Sequence, residues 1–269
     1  MKRIGFIGAG NMAGALIRGL LRAKEVTSRE VWVSDPVAAQ SRRLKRTHKI
    51  TIAPDNLALV GGSRIVVLAV KPQVLAQVLA EVRPAVSPRT LFVSIAAGFP
   101  LGRLEAALGG TARVVRVMPN TPALVGRGVS VAVKGSHARA ADLKQTLRLF
   151  RAVGEAHAID EERLIDAVTA LSGSGPAFVY LFAEALIAGG VQGGLAKSLA
   201  ARLAFGTLAG AAAMLTETGR TPEELREMVS SPGGTTLAGL AALETHGFRA
   251  AIQAALADAT RRARELAAA

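Results

Sequence analysis

Eight residues near the carboxyl end of the chain, Val229-Ser-Ser-Pro-Gly-Gly-Thr-Thr236, place four hydroxyls, two glycines and a proline in a region of otherwise helical periodicity. Proline and glycine weaken a helix, so the interruption needs a use. Pro232 halts the preceding helix, while Gly233 and Gly234 allow backbone conformations closed to other residues. The stretch TTLAGLAAL then starts a new helix, whose first N–H groups can receive a carboxylate. Ser231, Gly233, Gly234, Thr235 and Thr236 are therefore candidates for holding a small anion, with the two threonine hydroxyls as its hydrogen-bonding partners. The simpler alternative is that Thr235 only caps the helix.

A second constellation lies at the other end. Gly8-Ala-Gly10-Asn-Met-Ala13 follows the apolar run RIGFIG and opens a helical segment, which is the G-x-G-x-x-G/A pattern in its strand–turn–helix setting. Gly8 allows the tight turn, Gly10 lets the backbone approach a pyrophosphate, and Ala13 lets the helix lie close on the sheet. Ile7, Gly8, Ala9, Gly10, Asn11 and Met12 are expected to line a dinucleotide. The next run ends in VWVSDP. Asp35, about 25 residues after Gly10, stands where a carboxylate reads the adenosine ribose and repels a 2′-phosphate, which favours NADH. Ser34 beside it, with Arg42 and Arg43 nearby, suits NADPH instead, and both cofactors stay open.

Two further run ends, LAVKPQ (68–73) and SIAAG (94–98), should lie along the same ligand, because open α/β sheets bind ligands at the carboxyl ends of their strands. They contribute Ala69, Val70, Lys71, Pro72, Ala96, Ala97 and Gly98. Lys71 reads as a neighbour of the cofactor in preference to a catalytic lysine. MPNTP (118–122) fits a strand-end loop in which Asn120 could bond a nicotinamide carboxamide. In SGSGP (172–176), Ser174 suits a helix N-cap with Pro176 in the first turn, and a structural role and a substrate contact are both open for it.

Other chemistries lack their parts. The 269 residues include no cysteine, which excludes disulfides, thiolate metal sites and a cysteine nucleophile. The four histidines, His48, His137, His157 and His246, are scattered, and no metal site is expected. The formal charge of +13 comes from basic residues spread along the chain. The densest groups, SRRLKR (41–46) and RRARE (261–265), carry no interleaved aromatics for stacking on bases, so no nucleic-acid partner is expected. The longest apolar runs, 185–196 and 203–215, fall short of the roughly 18 residues of a membrane span and suit helix packing or a subunit interface. No secretion signal precedes the first strand, so a cytoplasmic location is expected.

The elements that must position these residues change character partway. Up to residue 158, short β-rich runs (3–8, 30–35, 49–53, 63–70, 90–98, 112–119 and 128–135) alternate with helical stretches. Several runs are apolar without alternation, as in strands buried on both faces of a parallel sheet. The economical architecture for residues 1–158 is a Rossmann-like, doubly wound α/β domain. Residues 159–269 read as an all-α domain rich in small residues.

The motifs FIGAGNMA, LAVKP, MPNTP, LSGSGPAF and VSSPGGTT, in this order over essentially the whole length, resemble the pyrroline-5-carboxylate reductase family. The resemblance implies reduction of the cyclic imine of Δ1-pyrroline-5-carboxylate to L-proline, the last step of proline biosynthesis, with NADPH or NADH. It implies a C-terminal dimerisation domain, homodimers often assembled into larger rings, and a VSSPGGTT segment that meets the dinucleotide domain at a subunit interface. Carried over by position, Gly8 to Met12, Ser34, Asp35, Asn56, Ala69 to Pro72 and Ala96 to Gly98 should contact the cofactor. Thr235 and Thr236 should contact the substrate, with Thr236 the candidate catalytic residue. Many members carry cysteine where this chain has Ser230. An acidic residue found in some members before the signature has only Glu217 as a near counterpart. Alternatives are a related imine or 3-hydroxyacid reductase, for which Lys197 would have to serve as proton donor, and a non-catalytic dinucleotide-binding regulator.

Overall fold

The strands of the first half are short and apolar on both faces because helices cover both sides of the sheet. In the computed structural model, which describes residues 3–268, eight strands form one sheet. They are β1 (Ile4–Ile7), β2 (Val31–Ser34), β3 (Thr51–Ile52), β4 (Ile65–Leu68), β5 (Leu91–Ser94), β6 (Arg113–Met118), β7 (Gly128–Lys134) and β8 (Gly154–Ala158). Their order is β3-β2-β1-β4-β5-β6-β7-β8, and every neighbouring pair is parallel except β6 and β7. The chain leaves β1 toward β2 and β3, then returns to place β4 on the other side of β1. That reversal is the switch point at which a doubly wound sheet opens a ligand crevice. An eighth strand, GEAHA at the sheet edge, joins the seven expected runs.

Side-chain alternation divides the core into two layers. Ile4, Phe6, Val31, Val33, Ile65, Val67, Leu91, Val93, Val115 and Val117 pack on one face, with Leu16, Ile17 and Leu20 of α1 (Asn11–Arg22). Ile7, Val66, Leu68, Phe92 and Val114 pack on the other, with Leu75 and Leu79 of α4 (Pro72–Val82) and Leu104 of α5 (Leu101–Ala107). Each such buried side chain contributes about 1.5–3 kcal/mol. The helices α2 (Ala38–His48), α3 (Asn56–Gly62) and α6 (Ala140–Arg151) complete the wrapping. At Gly5 a Cβ would sit 2.3 Å from Leu59 Cδ2, so this glycine lets α3 lie directly on β1.

After β8 the chain turns helical, and it divides into two compact units. The first comprises the residues up to Ser174 together with those from Ala259 onward, and the second is Gly175–Asp258. Thus α7 (Ile165–Val168) and a π-helical turn at Thr169–Gly173 belong to the first unit, although the change of sequence pattern falls at 158/159. At SGSGP the π turn ends at Gly173 and α8 begins at Gly175, with Pro176 in its first turn as expected, but Ser174 is not an N-cap. Ser174 has right-handed helical dihedrals (φ −84°, ψ −27°), not the extended ones of an N-cap, and the widened turn carries the helix through.

The second unit contains α8 (Gly175–Gln192), α9 (Lys197–Glu217), α10 (Pro222–Met228), α11 (Thr235–Thr245) and most of α12 (Phe248–Ala268). Because helix continues through the π turn, the stretch Glu162–Gln192 reaches 31 residues and Lys197–Glu217 reaches 21. Both are long and apolar enough to cross a membrane by length and composition, contrary to the expectation from the uninterrupted apolar runs. Their apolar side chains stand open: Tyr180, Leu181, Leu203 and Phe205 are each more than half exposed.

Candidate functional site

The glycine turn after β1 has the shape a pyrophosphate requires. Gly8 has φ +98°, and a Cβ there would lie 2.5 Å from the Ala69 carbonyl oxygen, so only glycine lets the loops after β1 and β4 meet. Gly8 N–H donates to Ser34 O at 2.8 Å, and Ala69 N–H donates to Ile7 O at 2.8 Å, which ties three strand ends together. At Gly10 a Cβ would meet nothing within 4 Å, so space stands over the backbone where a phosphate would approach. Gly10 supplies no capping side chain to α1, leaving the first-turn N–H groups of Asn11 and Met12 for a ligand. These features fit a dinucleotide.

Asp35 reaches back into this turn. Its Oδ2 accepts from Ala9 N–H at 2.7 Å and its Oδ1 from Val37 N–H at 2.8 Å, so the carboxylate stands fixed beside the phosphate loop. Asn56 opens α3, which Asp55 caps, and the Asn56 Nδ2 donates to Glu81 at 2.8 Å. Lys71 precedes α4 and Pro72 begins it; Lys71 is exposed and makes no ion pair among the described residues. Val70 lies beside it, half-buried. After β5, Ala96 is buried, Ala97 is half-buried and Gly98 takes φ +67°. On α2, the His48 imidazole is held below its ordinary 6.5 by partial burial and then by the charges of Arg18 and Arg43.

Asn120 is held by hydrogen bonds within the protein. It is buried; its Oδ1 accepts from Val129 N–H at 2.8 Å and its Nδ2 donates to Ser172 O at 3.1 Å. Its amide therefore joins the loop after β6 to β7 and to the π turn. Sequence reasoning also missed Arg116 and Glu162, an ion pair at 2.7 Å beside the loop after β5. An arginine inside the apolar run RVVRVMP was the available signal.

In the second unit, VSSPGGTT resolves into a helix end, a turn and a helix start. The chain leaves α10 at Met228, before the proline, and the Ser230 hydroxyl donates to Arg226 O at 2.7 Å to finish that helix. Ser231 O accepts from Gly234 N–H at 3.0 Å, enclosing Pro232 and Gly233. Gly233 has φ +69°, as the third position of a type II turn demands. A Cβ on Gly234 would lie 2.4 Å from Ser231 Oγ and 3.0 Å from Ser231 O, so a larger residue there would have to turn the serine side chain aside. Gly234 is the N-cap of α11, and it offers no side chain. Thr235 is therefore the first helical residue and does not cap. Among the described residues neither the Thr235 nor the Thr236 hydroxyl is hydrogen-bonded, and the amides of this 11-residue helix start open.

A cleft of about 630 Å³ opens at the amino ends of β1 and β4, lined by Ile4, Ile65, Glu25 and Arg148. The Arg148–Glu25 ion pair at 2.6 Å already occupies its charged wall. Ligands of open α/β sheets bind at the opposite, carboxyl ends of strands.

Each half of the chain matches a family model. Residues 3–98 match the family model described as NADP oxidoreductase coenzyme F420-dependent, and residues 162–266 match that described as pyrroline-5-carboxylate reductase dimerisation. Pyrroline-5-carboxylate reductases of Methanosarcina acetivorans and Pseudomonas aeruginosa are each 44% identical over 265 residues; the matches cover 98% of this chain and 98% and 97% of theirs. The structure of a pyrroline-5-carboxylate reductase from Coxiella burnetii superposes with a TM-score of 0.93 at 34% identity, covering 98% of both chains. That of the Plasmodium falciparum enzyme, which has NADP bound, gives 0.88 at 32% identity, covering 99% of this chain and 98% of that one. With such identity across its whole length, and both halves matched, the chain belongs to the pyrroline-5-carboxylate reductase family.

Proposed function

We propose that this protein reduces the imine of Δ1-pyrroline-5-carboxylate to L-proline with NADPH or NADH, as a cytoplasmic homodimer built through residues 162–266 and assembled further into a larger ring. The observation that carries the reading is the pairing, in one chain, of two open helix starts. One follows a glycine turn shaped for pyrophosphate, and the other carries two unpartnered threonine hydroxyls. The full-length relatives named above supply the substrate.

The chain's own residues bind and orient. Gly8 to Met12 and Asp35 hold the phosphate and ribose end of the dinucleotide, with Ser34, Asn56, Ala69 to Pro72 and Ala96 to Gly98 along its length. When bound, the reduced nicotinamide supplies the hydride for the imine carbon. The substrate carboxylate is taken by the α11 amides with Ser231, Gly233, Gly234 and Thr235, since a helix start favours an anion. The Thr236 hydroxyl is placed at the ring nitrogen, where it steadies the protonated imine that accepts hydride most readily. Dimer formation is supported by the exposed apolar side chains of α8 and α9.

The test is direct. Purified protein is mixed with the pyrroline and either NADPH or NADH, and loss of the reduced nicotinamide absorbance is followed. Consumption of at least one cofactor is expected. Failure with both would overturn the reading. Sedimentation in the same buffer is expected to give a multiple of the chain mass.

A further inference from the structure

One loop of the nucleotide site is held from two directions by segments that the sequence places far away. The loop Ile95–Pro100 follows β5 and carries Ala96, Ala97 and Gly98. At its far end, Glu162 Oε1 accepts from the Leu101 N–H, the first amide of α5, at 2.7 Å. The same oxygen accepts from Arg116 Nη1, also at 2.7 Å. Within the loop, a Cβ added to Gly98 would sit 3.2 Å from Leu266 Cβ and 3.3 Å from Leu266 O, so the last turn of α12 closes against the loop backbone. Pro100, which precedes α5, offers no capping side chain, and Glu162 supplies that acceptor from elsewhere.

Arg116 explains why the acceptor is charged. On β6 it alternates with Val115 and Val117, which face one core layer, so it shares the other with Val114. That layer also contains Phe92, Ala96, Phe99 and Ile165. The arginine is 4% exposed there. A guanidinium among apolar side chains requires a carboxylate, and Glu162 is the partner the fold provides. An arginine in a central strand is a costly way to build a core, whereas it is an effective way to fix one glutamate oxygen.

We propose that Glu162 is a positioning residue for the cofactor. Locked by Arg116, it pins the start of α5 and so sets the backbone of Ala96–Gly98 where the dinucleotide passes, without touching the dinucleotide. The inference rests on the reductase reading in taking this loop as a cofactor loop. Glu162 and Leu266 are also the first and last residues matched by the dimerisation family model. The two ends of that segment thus converge on a single cofactor loop.

The test compares Glu162→Gln with a double variant, Arg116→Met/Glu162→Leu, which exchanges the ion pair for apolar groups and is expected to fold. NADPH affinity is titrated by nicotinamide fluorescence without substrate, beside thermal unfolding and steady-state kinetics. In the glutamine variant an oxygen acceptor survives, and Kd should rise about threefold; in the double variant it should rise about tenfold, the worth of one charge-assisted bond. At saturating NADPH, kcat and the KM for the imine should stay within about twofold of the original, because neither reacting group is touched. An unchanged Kd in either variant, folded by circular dichroism, overturns the proposal, as does a loss of kcat without a loss of affinity. The titration uses no pyrroline, so a wild-type protein that binds NADPH and fails to reduce the imine refutes the function and leaves this inference standing.

Discussion

Replacing Gly10 by alanine separates the ligand's demands from the fold's. Gly10 has φ −70° and ψ −171°, dihedrals open to any residue, and a Cβ there meets no atom within 4 Å. Without cofactor the substitution should leave stability unchanged or raise it by about 0.4–1 kcal/mol, because alanine has fewer unfolded conformations to lose. With cofactor the methyl occupies the approach to the backbone amides. Losing one charge-assisted amide–phosphate bond costs roughly 1.5–3 kcal/mol, which weakens NADPH binding about ten- to hundredfold. Gly8→Ala is the control with the opposite signature. Its φ of +98° and the Ala69 oxygen 2.5 Å from the new Cβ force the β1 and β4 loops apart, so apo stability falls by several kcal/mol. Thermal unfolding without nucleotide and a fluorescence titration with NADPH read the two effects. A Gly10→Ala protein that binds NADPH normally, or that loses apo stability as Gly8→Ala does, would refute the reasoning.

Other expectations concern the remaining parts of the site. Thr236→Ala should slow turnover about tenfold or more while leaving NADPH affinity intact; turnover equal to the original would remove Thr236 from the chemistry. Ser230→Ala, by contrast, should cost about 1 kcal/mol in thermal stability and nothing in turnover, since its hydroxyl only closes α10 on Arg226 O. Asp35→Ala removes a fixed carboxylate beside the phosphate loop and should shift the ratio of NADH to NADPH dissociation constants about tenfold toward NADPH; a constant ratio would show that Asp35 does not read the ribose. For His48 the folded pKa lies below 6.5, so the unfolded chain binds the proton better and stability falls as pH drops from about 7.5 through the folded value. His48→Gln should flatten that part of the stability profile, and an unaltered slope would assign it to other groups.

What could be read from the sequence followed period and punctuation. The β1 run and its glycine turn, the strand-end loops and the change to helices after residue 158 all have local signals, so their placement needed no tertiary knowledge. Elements whose form is decided by packing did not announce themselves. GEAHA became an edge strand because β7 offers it a parallel partner, although its own side chains are half polar. SGSGP reads as a break with Ser174 as its cap, yet Ser174 keeps helical dihedrals between a π turn that ends at Gly173 and a helix that takes Pro176 in its first turn. Thr235 resembled a cap, but Gly234 takes that position. Glu162 lies among the acids of DEERL, and nothing local distinguishes the one that neutralises a buried arginine 46 residues away.

The return of the last helix to the first unit has a consequence for synthesis. Residues up to Ser174 can leave the ribosome and begin pairing their strands, but the unit they form lacks its final piece until the residues after Ala259 emerge. The strand scaffold is therefore made well before the helical segment that closes it. Cleavage just before Ala259 would injure the nucleotide half of the protein although the residues removed lie far from it in sequence.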